Sequence, residues 1–201
     1  MYTQGLKKIS ALGGRCDDTV LFRLLEGNLE SLSSLRLDAI SGLGTYDSLR
    51  LFSKLRLPNL RILILKNVHT REALQILIMD LPGLEELRLI RVTNEVEEED
   101  RLSFEGKLDG IDLADVRVTQ LWCSRLTKWL MEKVLELCGN SLEYLNLRDQ
   151  NPDINVKVLP VLKEVRFNEK IFKLGRGLRG GRLTDALKSV YFLNLNFHAD
   201  W

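Results

Sequence analysis

The sequence predicts an α/β fold of repeat type, a solenoid with a parallel inner sheet and convex helices, running through residues 1–201 as one domain of about eight or nine irregular repeats. Three observations predict it. "LPNLRILILKNV" (57–68) and "LPGLEELRLIRV" (81–92) begin 24 residues apart and agree at six of twelve positions, all of them apolar or Pro. An apolar residue followed three and then two positions later by others recurs along the chain. Between these triplets the apolar period lengthens from that of a strand to that of a helix.

The elements follow in order. Leu6, Ile9 and Ala11 open the series, and the alternation apolar, any, apolar at the end of each triplet marks a short half-buried strand. "DDTVLFRLLEGN" reads as a helix capped by Asp18 and stopped near Gly27. Leu32, Leu35 and Leu37 give the next strand, then Leu60, Leu63 and Leu65, after which "TREALQILIMD" takes Thr70 as N-cap. Leu84, Leu87 and Leu89 follow. Leu108, Ile111 and Leu113 form either a repeat of their own or part of an insertion, since Val118, Leu121 and Cys123 begin ten residues later. In "TKWLMEKVLELCGN" Thr127 caps a helix with the stripe Leu130, Val134, Leu137 and Cys138, and Gly139 ends it. Leu142, Leu145 and Leu147, then Leu162, Val165 and Phe167, then "LTDALKSV" capped by Thr184, and finally Val190, Leu193 and Leu195 complete the set. Pro58, Pro82 and Pro160 fall just before strands, where a missing amide donor does little harm. One such unit buries too little apolar surface to offset the ordering of its backbone, so neighbours must stack.

This spacing resembles the leucine-rich repeat family, L-x-x-L-x-L-x-x-N/C-x-L with a strand and a helical segment per repeat. The resemblance covers nearly the whole chain and rests on the first six positions. The place of Asn or Cys is taken by Ile40, Val68, Val92, Val116 and Gln150. With the Asn ladder missing, it implies longer units with full helices on the convex side and turns closed by apolar packing. It also implies protein recognition in place of catalysis.

Lys plus Arg number 29 and Asp plus Glu 28, a net charge of +1, so bulk charge selects neither nucleic acid nor a solvated acidic chain. Cys16, Cys123 and Cys138 are odd in number and widely spaced, and "MYTQGLKKIS" lacks the apolar core of a secretory signal, so a reducing, cytoplasmic setting is expected. No apolar run approaches the roughly 18 residues of a membrane span. The two histidines, His69 and His198, are far apart, and no metal-ligand spacing, G-x-S-x-G elbow or Walker loop occurs. No metal, cofactor or enzymatic activity is expected. Cys123 and Cys138 fall on core positions and read as small buried hydrophobes.

Two charged stretches stand apart. "GRGLRGGR" matches G-x-G-x-x-G at Gly175, Gly177 and Gly180, but no acidic ribose ligand can be placed after it, and it reads as an exposed loop. With Lys170, Lys173, Arg176, Arg179 and Arg182 against Glu169, its alternatives are contact with an acidic partner through Lys173, Arg176, Arg179 and Arg182, or a nucleotide cradle. "NEVEEED" reads as a solvated helix start favoured by the helix dipole.

If the triplets point into the core, the residues between them form a lane on the inner sheet: Ser10, Arg36, Ile64, Arg88, Asp112, Trp122, Asn146, Arg166 and Asn194. Ile62, Tyr144, Arg148 and Phe192 flank it. Arg, Trp and Tyr carry much of the energy at interfaces. The expected partner-binding site is therefore Arg36, Ile64, Arg88, Trp122, Tyr144, Arg148 and Arg166, centred on Arg88, Trp122, Tyr144, Arg148 and Arg166 on neighbouring strands about 5 Å apart, with guanidinium forks beside aromatic faces for a carboxylate-bearing segment. The expected function is a non-catalytic scaffold that binds a protein or peptide, an acidic one among the options. Alternatives are a regulator of a GTPase, a substrate receptor of a ubiquitin ligase with a separate adaptor, and, least favoured, nucleic-acid binding through the basic Gly-rich loop. The apolar C-terminal stretch "VYFLNLNFHADW" would be covered by Trp201 folding back or by a second copy, a homodimer through the last repeat.

Overall fold

The computed structural model describes residues 5–15, 17–41, 52, 54–77, 79–92, 117–149, 155–156, 159–174, 177 and 181–185. Their elements are β1 (Lys8–Arg15), α1 (Asp18–Glu26), β2 (Ser34–Ser41), β3 (Ile62–Lys66), α2 (Thr70–Leu77), β4 (Glu86–Ile90), β5 (Gln120–Ser124), α3 (Lys128–Cys138), β6 (Tyr144–Arg148), β7 (Asn155–Val156), β8 (Glu164–Phe167), β9 (Lys170–Lys173) and β10 (Gly181–Arg182). The fold is α/β. Eight strands form one sheet in the order β1-β2-β3-β4-β5-β6-β8-β9, parallel throughout except for β9, which returns antiparallel to β8. β7 and β10 make a separate short antiparallel pair. No helix among the described residues is long and apolar enough to cross a membrane.

Register follows the apolar triplets. Ile9, Leu35, Leu63, Leu87, Leu121, Leu145 and Val165 are successive ladder partners, and Ala11, Leu37, Leu65, Leu89, Cys123, Leu147 and Phe167 form the second row. All but Ala11 and Phe167 are buried, and those two pack partly buried against the same core. The helices add Leu21 and Leu25 from α1, Ala73, Leu74, Ile76 and Leu77 from α2, and Leu130, Met131, Val134, Leu135 and Cys138 from α3. The core therefore lies between the helices and one face of the sheet.

Two features fix each strand's position. The carbonyls of Lys7, Ser33, Arg61, Glu85, Thr119 and Glu143 each accept two successive backbone N–H groups from the entry to the next strand, at 2.8–3.2 Å. At the strand exits Gly13, Ala39, Asn67, Arg91, Arg125 and Asp149 occupy one register row, and each has φ between 50° and 67°. A plain alternation would send the residue after this row to the open face. The left-handed turn resets the phase, so Ile40, Val68, Val92 and Leu126 are buried instead. These apolar residues stand where an Asn ladder was absent, and they close the turns by packing.

Several local expectations are corrected. The N-cap of α1 is Asp17, not Asp18: its carboxylate accepts from Thr19 N at 2.8 Å, and Asp18 lies in the first turn. α2 begins at Thr70, and Glu72 closes a capping box by accepting from His69 N at 3.0 Å, so His69 takes the cap position expected of Thr70. Thr127 does cap α3, accepting from Leu130 N at 3.3 Å, but Gly139 ends it in right-handed geometry and Leu137 is only partly buried. β4 pairs directly with β5, leaving no place between them for a strand from residues 93–116. Leu108, Ile111 and Leu113 lie outside the described residues, as do Val190, Leu193, Leu195 and Trp201. Residues 183–185 begin a helical turn, so Thr184 is inside it and not its cap.

Candidate partner-binding site

The residues between the core positions populate the other face of the sheet, and they are half-buried or exposed apart from the buried Asp38 and Ser124. Three rows cross it. The entry row runs Glu86, Gln120, Tyr144, Glu164 and Lys173. The central row runs Arg36, Ile64, Arg88, Trp122, Asn146, Arg166 and Ile171. The exit row runs Asp38, Lys66, Ile90, Ser124 and Arg148. All seven residues expected to bind a partner thus share this face, but in different rows: Tyr144 lies at the entry side and Arg148 at the exit side.

The arginines do not stand alone. Arg36 donates from Nη2 to Asp38 at 3.0 Å, Arg88 donates from Nε to Glu86, and Arg166 lies 3.9 Å from Glu164. Each acid is two residues from its arginine on the same strand, hence on the same face. Arg36 Nε is buried without a hydrogen-bond partner. Sequence reading overlooked these acids, although "RLD", "ELR" and "EVR" spell the pairs out.

Two clusters result. At one end Asp38 accepts from Arg36, from Lys66 Nζ at 3.0 Å and from Asn67 Nδ2 at 2.8 Å. Burial pushes the Asp38 carboxyl up, but hydrogen bonds from Lys66, Arg36 and Asn67 outweigh it and hold the group below its ordinary pKa of 3.8. At the centre the Arg88 guanidinium sits 4.7 Å from the centroid of the Trp122 ring, in cation–π geometry. Trp122 and Glu86 hold that fork in place and leave its Nη atoms free of hydrogen bonds among the described residues.

No family model, curated protein or solved structure matches the chain. Its own geometry therefore carries the assignment. A groove of about 750 Å³ opens over β4, β5, β6 and β8. Lys66, Arg88, Arg91, Arg148 and Arg166 line it against the acids Asp149 and Glu169, with Trp122, Asn146 and Ser124 also in its lining. Arg91 and Arg148 have no ion pair among the described residues, whereas Asp149 lies 3.9 Å from Arg125. Arg91 was missed in the sequence because it belongs to the left-handed exit row, one place beyond the regular strand.

The basic "loop" is partly strand. Lys173 belongs to β9, in register with Glu164 on the groove-bearing face, and Arg182 belongs to β10. Arg176 and Arg179 lie outside the described residues. Gly177 has a packing reason: a Cβ there would sit 2.2 Å from the Leu159 carbonyl oxygen and 2.4 Å from that of Pro160. The thiols of Cys123 and Cys138 are buried, and burial pushes both up, Cys138 to about 12. Neither is a thiolate at neutral pH, so neither is an activated nucleophile. Among the described residues no three His, Cys, Asp or Glu side chains converge as a metal site.

Proposed function

We propose that the chain is a leucine-rich repeat solenoid that binds a protein or peptide across the open face of its sheet and catalyses no reaction. The solenoid reading is supported by a strand order that follows chain order, by six equivalent carbonyl rungs, and by left-handed exits recurring in one row. Parallel sheets in other α/β folds are covered on both faces, whereas here the helices among the described residues pack on one face and the groove opens on the other.

One observation carries the binding reading: Arg88, Trp122, Arg148 and Arg166 meet in a single groove on a face the core does not use. Regulation of a GTPase, or reception of a substrate for a ubiquitin ligase, would be particular uses of the same surface. A nucleic-acid role is less favoured, because Asp149 and Glu169 line the same groove, where a continuous run of phosphates would meet them. The test compares the chain with a variant carrying Ala at Arg88, Trp122, Tyr144 and Arg166, and with a control carrying Ala at Lys133 and Glu136 on α3, by cross-linking and mass spectrometry. Partners lost from the first and kept by the second are the expected result. An unchanged set from both would reject the open face as the binding surface.

A further inference from the structure

Resting on that binding reading, we infer that the groove takes an extended acidic segment, laid across the strands, with carboxylates four residues apart and an apolar residue midway between them. Charge gives the first reason. Five cations and two acids line the groove, and Arg91 and Arg148 lack ion pairs among the described residues. An acidic ligand completes them, while a basic one would meet the charges of Arg91 and Arg148, the lining cations that have no acid of their own among the described residues.

Spacing gives the second. Arg88 and Arg166 occupy the same row on β4 and β8, with β5 and β6 between them, which is three strand intervals or about 14 Å. In an extended peptide, side chains on one face recur every second residue, so positions i and i+4 are also about 14 Å apart. A carboxylate at i reaches the Nη atoms of Arg88, which carry no hydrogen bond among the described residues. The one at i+4 reaches Arg166, whose own acid is 3.9 Å away, beyond hydrogen-bond distance. The residue at i+2 falls over Trp122 and Asn146, where the half-buried indole offers apolar surface. Asp149 and Glu169 then discourage further acids at their side of the groove.

Fluorescence anisotropy with labelled synthetic peptides tests this. The probe is Glu-Ser-Leu-Ser-Glu between Gly-Ser flanks, against versions with either Glu replaced by Gln and versions with the two Glu spaced by two or by six. Binding by the first, weakened about tenfold or more by each Gln, is the expected result, since one charge-assisted hydrogen bond carries about that factor. The altered spacings should bind at least as poorly. Arg166→Glu should abolish binding of the probe and restore it for a peptide ending in Lys, a rescue that mere damage to the fold would not give. Equal binding at all spacings, or none at any, overturns the inference. If no peptide binds while the four-residue Ala variant still loses its cross-linked partners, the partner is not acidic and the open-face reading survives.

Discussion

Ala39 pays a conformational cost at its strand exit. With φ at 53° it lies in the left-handed region, which costs an L-residue roughly 1–2 kcal/mol relative to the right-handed one. Ala39→Gly should therefore raise stability by about 0.5–1 kcal/mol, after allowance for the larger freedom of Gly in the unfolded chain. Ala39→Val should lower it, because a β-branched side chain tolerates this region poorly. Thermal denaturation of the two variants, moving in opposite directions from wild type, is the check. Asp38 gives a pH-dependent counterpart. Its folded pKa is depressed, so the stability it contributes is present above the unfolded value of 3.8 and is lost as pH falls through the lower folded value. Asp38→Asn should cost about 1–3 kcal/mol at pH 7, and the gap to wild type should close below about pH 4 in denaturant titrations. The left-handed row itself was not legible in the sequence: Ala39, Arg91 and Arg125 carry no turn signature, unlike the Gly13, Asn67 and Asp149 that share the row.

Between elements the limits are steric. A Cβ on Gly83 would lie 2.4 Å from the Pro58 carbonyl oxygen, backbone that belongs to the preceding "LPNL" turn. Gly83→Ala should thus lower stability by about 1–3 kcal/mol or more, read from the shift in the urea midpoint, although Ala is the better residue in an unconstrained chain. The buried thiols make a chemical prediction for β5 and α3. Iodoacetamide at pH 8 should leave Cys123 and Cys138 unmodified in the native chain and alkylate both after denaturation, when their pKa returns to about 8.5. The parallel strands β1 to β6 and β8 and helix α3 were legible because the core dictates their spacing, whereas β7, β9 and β10 carry no apolar triplet and were not. The caps of α1 and α2 were each displaced by one residue for local reasons. Asp17 and Asp18 are both competent caps, and only geometry selects the first. In α2 the capping box is closed by Glu72, which reaches back to the backbone of His69, a residue type that does not advertise a cap.

At the scale of the molecule, the apolar rows run unbroken across the sheet, so damage in the middle should propagate to both neighbours. Leu121 is fully buried between Leu87 and Leu145, and Leu121→Ala should cost about 2–5 kcal/mol with one cooperative transition retained in chemical denaturation. The face that bears the groove was legible from the period of two alone, which is why Arg36, Ile64, Arg88, Trp122, Tyr144, Arg148 and Arg166 all lie on it. Arg88, Trp122, Tyr144, Arg148 and Arg166 were expected to meet on neighbouring strands, and the open point was whether a strand from residues 93–116 stood between Arg88 and Trp122. The direct pairing of β4 with β5, which moves Trp122 beside Arg88, is a long-range fact that residues 93–116 obscure in a linear reading. The ion pairs have one more implication. Arg88 and Arg166 find their counter-ions, Glu86 and Glu164, within their own strands, whereas Arg61–Glu85, Lys66–Asp38, Arg125–Asp149 and Lys163–Glu143 tie neighbouring segments together. A charge change at one of the tied pairs therefore disturbs two segments at once, while the in-strand pairs of β4 and β8 can be exchanged together without unbalancing their neighbours.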